Sequence, residues 1–432
     1  MSLTLAPRHQ VAGVVTVPGS KSLANRALLL AALAHGTSEI RNLPLSDDVS
    51  YLLRALRTLG VTYDQNKAQK HCQIVGCGGQ FPATGSGKAL FLGNAGTALR
   101  PLTAILSLDN RHTTAVNWVI TGEPRMQVRP IAPLVEALQQ GGAVIKYCAT
   151  PGYPPLQLQG GFRGGRIRIT GHQSSQFLSA LLMVAPLAEQ QTVIEVDGPL
   201  ISQPYVAMTL QMMRHFGVKV DDQEQRWFTI PGRQHYRACS NLAIEGDAAT
   251  ASYFLAAAAI QKGTIRINGI GQESQQGEKE FAAILQRMGA QIRWGGNYLE
   301  CQGDRLVGIE VDMGNQPDSA MTLAIVALFA QGATTIRNIY HWRFKESDRL
   351  TAMVTGLTQV GAKVEMGVDF IHIQPPIKFK PALINTYQDH RLVMCFSLVT
   401  LAGVPVTLSD PNCVSKSFPH YFSEFERVTT PS

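Results

Sequence analysis

An α/β fold of two domains, built from six similar units, is what the sequence predicts, and three observations predict it. The chain of 432 residues is too long for one ordinary hydrophobic core. A pattern recurs about every 70–80 residues: a nearly all-apolar helix opened by polar residues, a Gly or polar break, then a short β-branched strand. Apolar residues make up 45% of the chain and charged residues only 16%. Helices apolar on every side must be buried on every side. Sheets and amphipathic helices then cover the outside, and six units divide most simply as three plus three.

Taken in order, the apolar helices are expected at 22–34, 96–108, 175–188, 248–261, 319–331 and 389–402. The strands after them are expected at 37–41, 113–119, 192–196, 264–268, 334–338 and 404–408. Amphipathic helices follow at 48–59, 206–216, 278–288 and 348–360, stopped by Gly60, Gly217, Gly289 and Gly361. The sixth copy runs out near Phe425. A polar linker at 234–241 marks the midpoint, and the strand ahead of Pro18 is placed to complete the second domain.

Composition narrows the partners. A formal net charge of +7 fits anions, but no block of Lys and Arg with interleaved aromatics points to nucleic acid. Small phosphorylated or carboxylated substrates fit better. Seven cysteines, scattered and without a CxxC pair, indicate neither a disulfide framework nor a zinc site. No signal-peptide pattern or apolar run of membrane-spanning length is seen, so a cytoplasmic protein with no membrane partner is expected.

The chemistry concentrates at helix starts. Pro18-Gly19 ends the first strand, and Ser20 or Ser22 is a natural N-cap. Lys21, Ser22 and Arg26 share the first turn with free backbone N–H groups, a combination suited to phosphate or carboxylate. Gly93-Asn94-Ala95-Gly96-Thr97 places small residues where backbone must approach a ligand, with Arg100 one turn on. Ser174-Ser175-Gln176, Asp247, Asp318 and Asp389-His390-Arg391 open the other helices. Each alone is an ordinary cap, and Asp247 is left as a cap or hinge residue. Together they carry more cations than capping requires. If the helices of a domain run the same way, these ends converge. Thr121–Met126 adds a turn presenting Arg125, and Arg343–Arg349 packs three cations and two carboxylates into seven residues of a charge-poor chain. Gly85-Ser86-Gly87-Lys88 is not a P-loop, because Pro82 and Ala89 stand at key positions, and Gly76–Gly79 lacks the third Gly of a dinucleotide fingerprint.

Read together, PGSKSLANRALLLAAL, GNAGTALRPL, GEPRM, SSQFLSALL, EGDAATASYFLAAAAI, PDSAMT, KESDRL and DHRLVMCFSL strongly resemble the EPSP synthases, over essentially the whole chain. Gly96, Thr97 and Pro101 are similar to the bacterial, glyphosate-sensitive type. The resemblance implies an inside-out α/β barrel of two domains, each of three βαβαββ units, closing around substrate. It implies one domain at 21–242, and a second from 1–20 and 243–432 that carries the catalytic carboxylates. The family joins phosphoenolpyruvate to the 5-hydroxyl of shikimate 3-phosphate and releases phosphate, in chorismate and aromatic amino acid biosynthesis. No metal or cofactor is implied, and a monomer is expected.

On matching positions, the resemblance implies shikimate 3-phosphate contacts at Lys21, Ser22, Arg26, Ser174, Ser175, Gln176, Ser202, Asp318, His341 and Lys345. It implies phosphoenolpyruvate contacts at Lys21, Gly96, Arg125, Gln176, Arg349, Arg391 and Lys416. Asp318 resembles the base on the 5-hydroxyl, Glu346 the acid toward the methylene carbon, and Lys21 a third catalytic group. Two positions depart from the family pattern: His341 stands where Asn is common, and Gln203 where Lys is frequent. The rival is the enolpyruvyl transferase acting on UDP-N-acetylglucosamine, whose usual loop Cys has no counterpart at 122–126. A non-catalytic anion-binding repeat would explain the charge, but not Asp318 and Glu346 beside the cations.

Overall fold

The computed structural model describes residues 2–82, 89–108 and 117–431. Its apolar segments form helices at Lys21–Leu33, Gly96–Ile105, Ser175–Val184, Ala248–Gln261, Ala320–Val326 and His390–Ser397. Every residue of Lys21–Leu33 except Ser22 is buried, and burial is unbroken from Ala248 to Ala259. A helix without a polar face can exist only wrapped in this way. Truncating one of its fully buried leucines, such as Leu30, removes ~2–5 kcal/mol of stability.

Three of these helices are shorter than the sequence pattern implies and end in tighter 3-10 turns, at Ala185–Leu187, Ala327–Phe329 and Leu398–Ala402. In the first, Pro186 has no N–H to continue the α ladder, so the α-helix stops ahead of it. Of the strand expected at 113–119, residues 113–116 lie outside the described residues, as do 85–88. The described strand is Trp118–Thr121.

The chain divides into two compact units, Ser20–Ile244 and Met1–Gly19 with Glu245–Ser432. In the first, each of three four-stranded sheets sets two parallel strands beside an antiparallel hairpin. One runs Leu242–Ala243, Thr37–Arg41, His71–Val75, Thr62–Asn66. The second runs Ala89–Phe91, Trp118–Thr121, Leu156–Leu158, Ile145–Tyr147. The third runs Gly165–Thr170, Thr192–Asp197, Trp227–Ile230, Asp221–Gln223.

The second unit repeats the arrangement with departures in its fourth and sixth copies, and the chain crosses between the units in exchanged strands. Arg8–Thr16 lies parallel to Thr264–Asn268, and Leu242–Ala243 lies parallel to Thr37–Arg41. The strand before the first inner helix thus pairs with the strand after the fourth, and the strand before the fourth pairs with the strand after the first. In the sixth copy Ser2–Leu5 takes the place of a hairpin, antiparallel to Val406–Ser409. The copy does not stop at Phe425. It continues through the helix Tyr421–Val428 into Thr429–Pro431, which pairs with Arg8–Thr16. Each unit encloses its own hydrophobic core around its inner helices.

Candidate active site

In the unit Ser20–Ile244, the first turns of three inner helices are hydrogen-bonded to one another. Asn25 Nδ2 donates to Thr97 Oγ1 at 2.7 Å, and Arg100 Nη1 donates to Gln176 Oε1 at 2.6 Å. The helix starts therefore converge within this unit, and their positive ends share one region.

Ser20 takes the N-cap position of Lys21–Leu33 in extended geometry but makes no side-chain cap bond, so the backbone N–H groups at that end are not capped by its hydroxyl. Lys21 is buried and reaches Asp48 Oδ2 at 3.1 Å. Arg26 is buried one turn on. Its Nε donates to Thr209 Oγ1 at 2.8 Å, Nη1 to the Ser22 carbonyl at 2.9 Å, and Nη2 to the Tyr205 carbonyl at 3.3 Å and Ser179 Oγ at 3.4 Å. Burial lowers this guanidinium only to about 10, so it stays charged among these neutral acceptors. That is a setting for an anionic group.

Ser174 caps Ser175–Val184 by accepting from the Gln176 N–H at 3.3 Å, and Ser175 is buried beside it. Ser202 begins the helix Gln203–His215 in the left-handed region at φ 53° and is buried. Such backbone in a non-glycine residue costs of order 1–3 kcal/mol and collects at functional sites. Gln203 follows it, exposed. Arg125 is half-buried at the turn before Met126–Val128. A Cβ placed on Gly96 would stand 2.3 Å from Arg100 Nη1, 3.2 Å from Arg129 Nη2 and 3.3 Å from Gln176 Oε1.

The second unit gathers carboxylates and guanidiniums. Asp318 lies just before Ser319, which takes the N-cap position of Ala320–Val326. Asp318 itself is therefore not a cap but a partner of two arginines. Its Oδ1 lies 3.0 Å from Arg349 Nη1 and its Oδ2 2.6 Å from Arg391 Nη2. Arg349 also reaches Glu346 Oε2 at 2.8 Å and Asp389 Oδ2 at 2.8 Å. Burial lowers the Arg349 guanidinium, and Asp389, Glu346 and Asp318 reverse that and raise it. Burial would raise the Asp318 carboxyl, but Arg391, Arg349 and Lys345 together hold it well below the usual carboxylate range.

Arg391 is anchored on its other side by the Tyr253 hydroxyl, to which Nη1 donates at 3.1 Å. Lys345 is half-buried beside Glu346, and Lys416 is buried at the end of Pro411–Lys416. Trp342 is fully buried, and its Nε1 donates to the Pro317 carbonyl at 2.9 Å. This bond fixes the segment carrying His341 to the one carrying Asp318. Burial, then Lys345, push the His341 imidazole down to about 3, so the ring is neutral. Its Nε2 has no hydrogen-bond partner among the described residues.

Residues 21–202 of the expected site therefore gather in one unit and residues 318–416 in the other. Asp247 does cap its helix, accepting from the Thr250 N–H at 2.7 Å. Four contributors escaped sequence reasoning in these roles. Asp48 reads from sequence only as a helix start, yet it is the buried partner of Lys21. Asp389 caps His390–Ser397, accepting from the Arg391 N–H at 3.0 Å, and also holds Arg349. Arg129, buried and bonded to Asn94 Oδ1 at 2.9 Å, could have been found as a lone Arg ahead of Pro130. Tyr253 sits in a nearly all-apolar helix and gave no signal. Among the described residues no group of three or more His, Cys, Asp or Glu is placed to hold a metal ion, and no helix is long and apolar enough to cross a membrane.

The chain is 55% identical over 428 residues to the 3-phosphoshikimate 1-carboxyvinyltransferase of Serratia proteamaculans, covering 99% of each. It is 53% identical to the enzyme of that name from Edwardsiella ictaluri, covering 100% of this chain and 99% of that one. The solved EPSP synthase of Acinetobacter baumannii superposes with a TM-score of 0.80 at 26% identity, over 100% of this chain and 99% of that one. The two-domain α/β architecture is thus that of a solved EPSP synthase. The family profile for EPSP synthase (3-phosphoshikimate 1-carboxyvinyltransferase) matches residues 5–425, and the chain belongs to that family.

Proposed function

We propose that the chain transfers the enolpyruvyl group of phosphoenolpyruvate to the 5-hydroxyl of shikimate 3-phosphate, with the residues above in the following roles. Lys21, Ser22, Arg26, Ser174, Ser175, Gln176 and Ser202 bind shikimate 3-phosphate, assisted by Asp318, His341 and Lys345. Arg26 supports this reading because its charge is buried among neutral acceptors. The buried Nε2 of His341 offers the sugar-like ring one neutral hydrogen-bonding atom, as Asn does elsewhere in the family. Gly96, Arg125, Arg349, Arg391 and Lys416 bind phosphoenolpyruvate, with Lys21 and Gln176 reaching both substrates.

The observation that carries the reading is the pair of carboxylates on one guanidinium: Asp318 and Glu346 lie 3.0 Å and 2.8 Å from two nitrogens of Arg349. Enol ether formation requires a base at oxygen and an acid at carbon, placed side by side. Asp318 takes the 5-hydroxyl proton as that oxygen bonds to C2 of phosphoenolpyruvate, and Glu346 delivers a proton to the methylene carbon. In the elimination the Glu346 carboxylate takes a proton back from that methyl group, the double bond re-forms, the C–O bond to phosphate breaks, and the proton held by Asp318 leaves with the phosphate. Arg349, Arg391 and Lys416 balance the charge that develops on the departing phosphate.

The test is phosphate release with each substrate alone and with both. Release only when both are present, with the enolpyruvyl product seen by mass spectrometry, is expected. Release with UDP-N-acetylglucosamine in place of shikimate 3-phosphate would refute the assignment. Glyphosate is expected to compete with phosphoenolpyruvate, and sedimentation is expected to give a monomer.

A further inference from the structure

The two guanidiniums assigned to phosphoenolpyruvate are already engaged within their own unit, and by one side chain. Asp318 commits one carboxylate oxygen to each, at 3.0 Å from Arg349 and 2.6 Å from Arg391. The arginine side chains are deeply buried, 1% and 4% exposed, whereas that of Asp318 remains 18% exposed. Asp318 is thus the more accessible partner in both ion pairs.

Neither arginine depends on Asp318 for its position. Arg349 is held by the buried Asp389 through Nε at 2.8 Å and by Glu346 through Nη2 at 2.8 Å. Arg391 is held by the Tyr253 hydroxyl at 3.1 Å. If Asp318 swung away, the two guanidiniums would remain as a preformed clamp. A carboxylate or phosphate oxygen pair of a substrate has the same planar or forked complementarity to guanidinium as the Asp318 carboxylate.

We propose that Asp318 is an internal competitor for the anion clamp, occupying Arg349 and Arg391 in place of the substrate's anionic group and becoming the base only when that group displaces it. This rests on reading Arg349 and Arg391 as phosphoenolpyruvate residues. A carboxylate held by two guanidiniums is a poor proton acceptor, because the arginines outweigh the effect of burial. Once phosphoenolpyruvate takes the clamp, the carboxylate loses that stabilisation and gains basicity beside the 5-hydroxyl. Base strength is thereby tied to occupancy of the adjoining pocket, and the base is quiet until the electrophile has arrived.

The experiment is calorimetric titration of phosphoenolpyruvate, and separately of inorganic phosphate, into the full chain without shikimate 3-phosphate. Wild type, Asp318→Asn, Asp318→Ala and Glu346→Gln are compared at one pH and ionic strength. Removing the competitor is expected to tighten binding about tenfold in both Asp318 variants, within the usual range for coupled interactions. Glu346→Gln takes a carboxylate from Arg349 alone and is expected to gain less. Binding no tighter than wild type in both Asp318 variants would overturn the proposal. So would an equal gain in Glu346→Gln, which would reduce the effect to general loss of negative charge. Failure of the functional reading is separate: wild type would then release no phosphate with the two substrates together.

Discussion

Arg100 donates to Gln176 at 2.6 Å, and the guanidinium nitrogen that does so lies where a side chain on Gly96 would begin. The missing Cβ at Gly96 leaves room for Arg100 to orient Gln176, the residue assigned to both substrates. Arg100 is buried and also donates to the Pro130 carbonyl at 3.3 Å, so it has little freedom to retreat.

Gly96→Ala is accordingly expected to displace Arg100 and turn Gln176. Overpacking of this kind costs ~1–3 kcal/mol, or about ten- to hundredfold in affinity. Glyphosate, longer than phosphoenolpyruvate, is expected to lose more: a large rise in its inhibition constant with a smaller rise in KM for phosphoenolpyruvate. Adding Arg100→Lys, which frees space at Gly96, is expected to restore part of the loss. Steady-state inhibition kinetics check both, and no recovery in the double variant would place the overlap on the ligand itself.

Glu346→Gln and Asp318→Asn preserve size while removing proton transfer, and each is expected to lower kcat by ~10²–10⁴-fold. Affinity for shikimate 3-phosphate should survive better in Glu346→Gln, because Asp318 is the one assigned to that substrate. Calorimetry with shikimate 3-phosphate alone, beside steady-state rates, separates the two roles. A variant with near-normal kcat removes its residue from the mechanism.

Lys21 and Asp48 form a buried pair, their side chains 8% and 2% exposed. Asp48→Asn leaves the ammonium without its carboxylate, a loss expected at ~3–5 kcal/mol. Lys21→Met combined with Asp48→Asn removes both charges and should recover much of it. Denaturant unfolding of the single and double variants measures the difference, and an unchanged single variant would show that Lys21 finds another partner.

His341 makes acid stability a further test. Its imidazole is depressed from 6.5 to about 3 by burial and then by Lys345. The stability gained by keeping it neutral is fully present above the unfolded value of 6.5 and is lost as pH falls toward about 3. His341→Asn should therefore lose less stability over that window, by up to ~1.4 kcal/mol for each pH unit. Denaturation curves at several pH values provide the comparison. Identical slopes would mean that the ring protonates as freely in the folded chain as in the unfolded one.

Much of the fold was legible because burial writes itself into composition. The all-apolar stretch from Ala27 to Ala34 and the nearly all-apolar helix at Ala248–Gln261 have no polar face to offer solvent, so their central position follows from the residues alone. Helix ends were less legible. The tightening at Pro186 is visible in the sequence, but the 3-10 endings at Ala327–Phe329 and Leu398–Ala402 carry no comparable signal.

By itself, the sequence determined which residue types gather at the helix starts and, through its motifs, the family; the site residues it named are candidates. Local pattern suffices for this, since capping, periodicity and motif spacing are properties of neighbours in the chain. Only the tertiary structure decided the pairings: Asp48 on Lys21, Asp389 on Arg349, Tyr253 on Arg391, and Asp318 across two arginines. It likewise decided that Arg8–Thr16 joins Thr264–Asn268. For the side-chain pairings the physical reason is shared. A charge removed from water must find its partner in space, at sequence separations from 27 to 138 residues here, and no local rule of propensity or periodicity reaches that far.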